Sequence, residues 1–145
     1  MMDSKISQLE NSGTRPGQEI KIRVLLTKSR MDAHDRGIRY VARELSSAGM
    51  EVVFTRYALP EEIVKAAIQE GSDVIGVSCS TGGHLYAAAG IQDCLEKEGV
   101  KGIKVLFGGI IPDEDVVKMK ERGVSAIFGP GSSIQEIIRV IKEKR

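Results

Sequence analysis

Residues 20–49 read IKIRVLLTKSRMDAHDRGIRYVARELSSAG, which is an apolar strand pattern, then a polar loop, then a helix pattern. Residues 20–26 alternate at first and then become wholly apolar, as is typical of a strand that is buried on both faces by its end. From Ile38 to Leu45 the apolar residues recur at the spacing of one helical stripe, and Gly49 suits a left-handed C-terminal cap. The stretch therefore predicts a strand, a loop and a helix in succession.

The same pattern recurs four more times along the chain. We expect strands at 20–26, 52–55, 74–78, 103–107 and 126–128, each followed by a helix, and the first four helices end near a glycine. This alternation predicts an α/β, flavodoxin-like (Rossmann-like) domain, a five-stranded parallel sheet of order 2-1-3-4-5 with helices on both faces. In such folds ligands bind beyond the carboxyl ends of the strands, near the switch point between the first and third strands.

Composition limits the class of protein. The chain has 145 residues, 41% of them hydrophobic and 28% charged, with a formal net charge of +1. We expect one soluble cytoplasmic domain over residues 20–145, preceded by a flexible tail over residues 1–19, with no nucleic-acid or membrane partner. Cys79 and Cys94 form no C-x-x-C pair, which argues against a disulfide framework or a zinc site.

The polar loop after the first strand holds the residues with the most specific chemistry. An imidazole is a common metal ligand, and its second ring nitrogen is normally bonded to a carboxylate. Asp32, two residues before His34, is placed to be that carboxylate, and Lys28 could extend the pair into one hydrogen-bonded chain. Gly37 allows a tight turn or the close approach of a ligand.

The loops after the third, fourth and fifth strands are rich in glycine. Residues 78–84, 108–112 and 129–132 would together form a groove with a backbone floor, which suits a large flat or extended ligand. There is no G-x-G-x-x-G after the first strand and no G-x-x-x-x-G-K-[ST], so a dinucleotide or NTP site is disfavoured. The hydroxyl groups expected to line the groove belong to Ser78, Ser80, Thr81, Ser132 and Ser133.

Asp32, His34 and Gly37 spell D-x-H-x-x-G, which resembles the motif of the B12-binding domains of cobalamin-dependent mutases and methyltransferases. The resemblance covers residues 21 to about 143. Of the family's other two motifs, S-x-L is kept as Ser78 with Ser80 in place of the leucine, and the glycine pair is Gly108-Gly109. The resemblance implies that His34 binds cobalt as its lower axial ligand in place of dimethylbenzimidazole, and that Asp32 hydrogen-bonds to His34.

Within the family, the chain is most similar to the small subunit, or C-terminal domain, of methylmalonyl-CoA mutase. That group reads A-K-x-G-x-D-G-H-D-R-G, with later G-G-x-I-P and V-F-G-P-G. Here residues 27–37 read T-K-S-R-M-D-A-H-D-R-G, 108–112 read G-G-I-I-P and 127–131 read I-F-G-P-G. The catalytic residues that this implies are Lys28, Asp32 and His34. The implied cofactor-binding residues are Asp32, His34, Asp35, Arg36, Gly37, Ser78, Ser80, Gly82, Gly108, Gly109, Gly129, Pro130 and Gly131.

This likeness implies an isomerase subunit that is not active alone. It would hold adenosylcobalamin base-off and His-on, and a large TIM-barrel subunit would bind the acyl-CoA substrate. A corrinoid protein for methyl transfer shares D-x-H-x-x-G, but it normally has a helical cap for which residues 1–19 are too short. A free-standing cobalamin carrier or sensor stays open. A response-regulator receiver is disfavoured, because the third strand ends in Ser78-Cys79-Ser80 and not in a phosphoacceptor aspartate.

Overall fold

A computed structural model describes residues 20–143, so the expected tail at 1–19 lies outside the described residues. Within that range, no helix has the length and apolar character that a membrane span needs. The strands are β1 (Arg23–Ser29), β2 (Glu51–Tyr57), β3 (Val74–Cys79), β4 (Lys104–Gly109) and β5 (Ala126–Phe128). The helices are α1 (Arg36–Ser47), α2 (Pro60–Glu70), α3 (His84–Lys97), α4 (Asp113–Glu121) and α5 (Ile134–Lys142).

The five strands form one parallel sheet in the order β2-β1-β3-β4-β5, which confirms the predicted topology. Because every strand is followed by a helix, all five carboxyl ends meet at one edge of the sheet. The change of direction in the strand order falls between β1 and β3, so the loops that follow these two strands lie side by side. This edge is where the predicted site residues converge.

Strand β1 is shifted toward the C-terminus relative to the prediction. It begins at Arg23 and pairs with β2 as far as Ser29, so Thr27 and Lys28 are buried strand residues and not loop residues. Both can be buried because they find polar partners, and the Thr27 hydroxyl accepts a hydrogen bond from Thr55 at 3.0 Å. Strand β4 likewise continues to Gly109, since its pairing with β3 extends to Cys79.

Two apolar layers enclose the sheet, because alternate residues of each strand face opposite sides. Helices α2, α3 and α4 cover one face, where they pack on Leu25, Ile75, Val77 and Phe107. Helices α1 and α5 cover the other face, packing on Val24, Leu26, Val74 and Leu106.

Helix α5 is held at both ends. Ser133 caps its start, since the Ser133 hydroxyl accepts the backbone N–H of Glu136 at 3.1 Å. At the other end, the buried ammonium of Lys104 donates to the carbonyl oxygens of Val140 at 2.5 Å and Glu143 at 2.9 Å. These contacts fix α5 as one wall of the α1 and α5 face.

Candidate functional site

His34 lies in the loop between β1 and α1 at the carboxyl edge of the sheet. Its Nδ1 is 2.8 Å from Oδ1 of Asp32, and its backbone N–H donates to the same oxygen at 2.9 Å. An ionised carboxylate can only accept, so Nδ1 carries a proton, and in the neutral imidazole the lone pair is then on Nε2. Since the side chain is 71% exposed, Nε2 can act as a ligand for a metal that approaches from outside.

The Asp32 side chain is nearly inaccessible, with 2% exposure. Its second oxygen, Oδ2, accepts the backbone N–H of Ser80 at 3.3 Å, which links the His34 loop to the end of β3. Burial by itself raises the pKa of the Asp32 carboxyl, but the hydrogen bonds from His34 and Ser80 and the charge of Lys28 outweigh burial, so the pKa lies below its usual value. Asp32 is therefore ionised and fixed in orientation at neutral pH.

Lys28 is fully buried at the end of β1. Its Nζ donates to the carbonyl oxygen of His34 at 2.5 Å and to Oδ1 of Asp35 at 2.8 Å. The distance from Nζ to Oδ1 of Asp32 is 3.6 Å, which is an ion pair but too long for a hydrogen bond. The expected hydrogen-bonded chain from Lys28 through Asp32 to His34 is therefore corrected at its first link, because two closer acceptors hold the ammonium.

Asp35 joins the loop to three elements. Besides Lys28, its carboxylate accepts from Arg56 of β2 at 2.6 Å and from Arg39 of α1 at 3.2 Å. The hydrogen bonds from Arg56 and Lys28 hold the pKa of Asp35 well below its usual value. Both oxygens are thus engaged within the chain, while the neighbouring Arg36 is exposed.

Two buried residues near Asp32 were not predicted as part of the site. Tyr57 ends β2 and Cys79 ends β3, with exposures of 7% and 4%. Burial, assisted by the negative charge of Asp32, raises the pKa of the Cys79 thiol to about 11, and burial beside Cys79 also raises the pKa of Tyr57. Both side chains are neutral at physiological pH, so they form a neutral, dry surrounding for Asp32.

A groove of about 400 Å³ opens next to the His34 loop and runs between the sheet and helices α1 and α5. Its mouth includes Gly37 and Ser80, the residue that also binds Asp32. Deeper in, its walls are aliphatic. The main contributors there are Leu26, Leu45, Val74, Leu106, Ile137 and Ile141.

Three glycines that line this groove have no structural reason to be glycine. Gly37, Gly108 and Gly129 are not at positive φ, and a Cβ at Gly37 or Gly129 would have no neighbour in the described chain within 4 Å. A Cβ at Gly108 would meet only Phe128 O, at an ordinary 3.7 Å. The space above these glycines is thus open to the groove, as a backbone cradle for a ligand requires.

The other predicted glycines have a role in the fold. Gly109 has φ of 136°, and a Cβ there would overlap the carbonyl oxygen of Cys79, so the fold itself requires glycine although Gly109 also lines the groove. Gly82 and Gly131 have φ of 94° and 90° and do not line the groove. Their turns account for both residues.

The predicted hydroxyl lining is confirmed for Ser78, Ser80 and Ser132, and Pro130 lies in the same wall. It is wrong for Thr81 and Ser133, neither of which lines the groove. The Ser133 hydroxyl is used instead to cap α5.

The helical walls of the groove could not be recognised from the sequence, because Ile137 and Ile141 have the spacing of an ordinary core stripe. The sequence holds one signal of the groove itself, though not of its helical walls. Gly76 lies in the middle of a buried central strand, where glycine weakens the sheet and often marks a close approach to another group. Gly76 lines the groove, and a Cβ there would lie only 2.8 Å from the Leu26 side chain.

The geometry fits a ligand of two parts. An imidazole with one free lone pair, backed by an ionised carboxylate, suits a single axial metal bond. The apolar groove beside it, floored by Gly37, Gly108 and Gly129, suits an elongated appendage of the same ligand. A base-off corrinoid combines both parts, so the described residues fit the cofactor that the resemblance implies.

Comparison with known proteins agrees with this fit. The model of the B12 binding domain family matches residues 22–139. The chain is 41% identical over 122 residues to the small subunit of 2-hydroxyisobutanoyl-CoA mutase from Aquincola tertiaricarbonis, covering 83% of this chain and 90% of that one. It is 39% identical over 132 residues to the pivalyl-CoA mutase small subunit of Xanthobacter autotrophicus, covering 90% and 85%.

Methylmalonyl-CoA mutase of Escherichia coli is 34% identical over 140 residues, which cover 93% of this chain but only 19% of the mutase. Among solved structures, a cobalamin-binding protein from Desulfitobacterium hafniense aligns with a TM-score of 0.60 at 21% identity, over 83% of this chain and 59% of that one. The structural likeness supports the flavodoxin-like fold alone. The match of the family model over most of the chain, with the two small subunits, shows that this protein belongs to the B12-binding domain family.

Proposed function

We propose that this chain is the cobalamin-binding small subunit of an adenosylcobalamin-dependent acyl-CoA mutase and holds the cofactor base-off and His-on. The observation that carries the proposal is the position of His34, whose exposed imidazole is held by Asp32 next to the groove. Two relatives that are matched over most of their length are small subunits of acyl-CoA mutases.

Each polar residue of the loop would have a different role in holding cobalt. Nε2 of His34 would coordinate cobalt, and Asp32 holds the imidazole through Nδ1, which would increase its basicity. Lys28 holds the loop backbone through the His34 carbonyl and stabilises the negative charge of Asp32. Because Lys28 and Asp32 are buried, water does not compete for these contacts.

The groove takes the nucleotide tail. Gly108 and Gly129 let the tail lie against the backbone, and the hydroxyl groups of Ser78 and Ser80 are placed at the mouth, where they can donate to the displaced base. A tail held in the groove would keep the base away from cobalt and would leave cobalt free to bind His34.

When bound, adenosylcobalamin supplies a radical by homolysis of its cobalt–carbon bond, which is the chemistry that carbon-skeleton isomerisation needs. We assign the acyl-CoA substrate to a large TIM-barrel subunit, which would cover the bound cofactor. The comparison with the Escherichia coli mutase supports this division, since about four-fifths of that enzyme has no counterpart in this chain.

The test combines this chain with its candidate large subunit. A tagged version of this chain should retain a chain with a CoA-binding barrel in the presence of adenosylcobalamin, and acyl-CoA isomerisation should need all three components. Isomerisation by the large subunit without this chain would contradict the proposal, as would failure of this chain to bind cobalamin.

A further inference from the structure

The ammonium of Lys28 faces two carboxylates at unequal distances. Its Nζ is 2.8 Å from Oδ1 of Asp35 and 3.6 Å from Oδ1 of Asp32. It also donates to the backbone carbonyl of His34 at 2.5 Å. Because the Lys28 side chain is fully buried, water cannot replace any of these partners. The hydrogen bonds of the ammonium therefore go to the loop carbonyl and to Asp35, while Asp32 feels only its charge.

The longer distance matters because of the oxygen to which it leads. Oδ1 of Asp32 is the atom that accepts both Nδ1–H and the backbone N–H of His34, at 2.8 and 2.9 Å. A carboxylate that keeps its charge for Nδ1–H makes the imidazole a stronger metal ligand. An ammonium hydrogen-bonded to the same oxygen would draw that charge away. The position of Lys28 thus affects the donor strength of Nε2 on His34.

Two arginines bind the carboxylate that holds Lys28. Arg56 of β2 donates to Oδ2 of Asp35 at 2.6 Å, and Arg39 of α1 donates to the same oxygen at 3.2 Å. Both guanidinium groups lie over the ring of Phe54, 5.2 and 5.8 Å from its centroid, which keeps them beside the loop. Oδ1 of Asp35 is left for Lys28, but the positive charge of the arginines weakens its attraction for the ammonium.

We infer that Asp35 is a positioning residue that holds the Lys28 ammonium away from Asp32, and that Arg56 opposes Asp35 by neutralising part of its charge. The two residues would then change the strength of the axial ligand in opposite directions. The inference rests on the proposed function and gives Asp35 a role that needs no contact with the cofactor, since both of its carboxylate oxygens bind residues of the chain.

The reduction of bound cob(II)alamin to cob(I)alamin reports on the strength of the axial ligand. Co(I) in a corrin ring has no axial nitrogen, so a stronger axial ligand stabilises Co(II) and lowers the midpoint potential. Spectroelectrochemical titration of the full chain with cob(II)alamin gives this potential. The nitrogen splitting in the EPR spectrum of the same sample shows whether the axial histidine is retained. Neither measurement needs a substrate or a large subunit.

Two variants should shift the potential in opposite directions. Asp35→Asn keeps the shape of the side chain but removes its charge, so Lys28 should move toward Asp32. The equilibrium constant for reduction should then rise about threefold, less than the effect of removing a direct partner of the histidine. Arg56→Met leaves Asp35 with more negative charge to hold Lys28, and should lower the same constant about twofold.

A control and a double variant test the route of the effect. Glu51→Gln neutralises a carboxylate of an exposed ion pair with Arg23 at the other end of β2, so it matches the charge change of Asp35→Asn and should leave the potential unchanged. In a Lys28→Met background, Asp35→Asn should have no further effect on the potential, because the residue through which it acts is gone.

Opposite shifts in Asp35→Asn and Arg56→Met support the inference, because a loop that merely loosens would shift the potential in the same direction in both variants. Shifts of the same sign, no shift in either variant, or an Asp35→Asn shift that persists without Lys28 would each overturn the inference and leave the proposed function in place. A wild-type chain that binds no cob(II)alamin, or binds it without an axial histidine nitrogen, would overturn the proposed function itself.

Discussion

Nδ1 of His34 and Oδ1 of Asp32 lie 2.8 Å apart, and the same oxygen also accepts the backbone N–H of His34 at 2.9 Å. One carboxylate oxygen thus orients the imidazole and the backbone that carries it. The other oxygen is held by Ser80 from β3. The direction of Nε2 is therefore set by the sheet and not by a freely rotating side chain.

Asp32→Asn should weaken cobalamin binding by roughly 10- to 100-fold, because an amide is a poorer acceptor for Nδ1–H and brings an N–H group toward donors. The measurement is the Kd from visible titration, with the thermal midpoint recorded alongside. Asp93→Asn, at an exposed surface ion pair with Arg122, is the control and should leave the Kd unchanged. Wild-type affinity in Asp32→Asn would reduce Asp32 to an ordinary loop residue.

Lys28→Met should lower the free energy of unfolding by about 1–3 kcal/mol, because it removes the donor to the His34 carbonyl and the donor to Oδ1 of the partly buried Asp35 carboxylate. Cobalamin affinity should fall as well, since the loop backbone loses its anchor. Urea denaturation measures the first effect. Lys118→Met, at an exposed position of α4, should stay close to wild type. Equal stability of the two variants would exclude the anchoring role of Lys28.

The paired glycines of β4 should separate ligand binding from folding. Gly108→Val places its side chain in open groove space and should lower cobalamin affinity more than about tenfold while the chain still folds. Gly109→Ala should lower the thermal midpoint instead, since its φ of 136° and its overlap with Cys79 are unfavourable without any ligand.

Gly123→Ala provides the matched control for the glycine pair. It follows α4 with φ of 102°, remote from the groove, and should affect only stability. Normal cobalamin binding by Gly108→Val with a reduced midpoint would mean that Gly108 is a structural glycine and that the groove is not the tail site.

The two cysteines should differ in reactivity. With its pKa raised to about 11 by burial and by Asp32, Cys79 has about one thiolate per thousand molecules at pH 8. Cys94 is only partly buried, although burial also raises its pKa. Iodoacetamide at pH 8 should therefore modify Cys94 before Cys79, as peptide mass analysis would show. Faster labelling of Cys79 would contradict the closed packing around Asp32.

The fold could be predicted from local patterns because residues that favour the start or the end of a helix recur along the chain. Pro60 at the first position of α2 and Gly71 in a left-handed conformation at its end were both identified from residue type. Strand ends were less predictable. Thr27 and Lys28 appear polar along the sequence, and only the pairing of β1 on both sides explains why they are buried strand residues.

The site could be predicted only in part, because some of its contacts are local in sequence and others depend on how the chain folds. Asp32 and His34 are two residues apart, so their contact is local and follows from the motif. The bond from Lys28 to Asp35 depends on how the loop folds back over β1, which spacing does not determine. Likewise Gly108 and Gly109 are equivalent in sequence, and only their different φ values and neighbours distinguish a ligand contact from a turn.

The most direct test of the central claim is the EPR spectrum of cob(II)alamin bound to protein labelled with ¹⁵N-histidine. An axial nitrogen splits the cobalt lines into triplets when it is ¹⁴N and into doublets when it is ¹⁵N. The chain has two histidines, and His84 is buried against Asp115 between α3 and α4. If His34 binds cobalt, labelled wild type gives doublets and His34→Ala gives no such splitting. Triplets that persist in the labelled protein would show that the nitrogen belongs to the cofactor's own base, and that His34 is not the cobalt ligand.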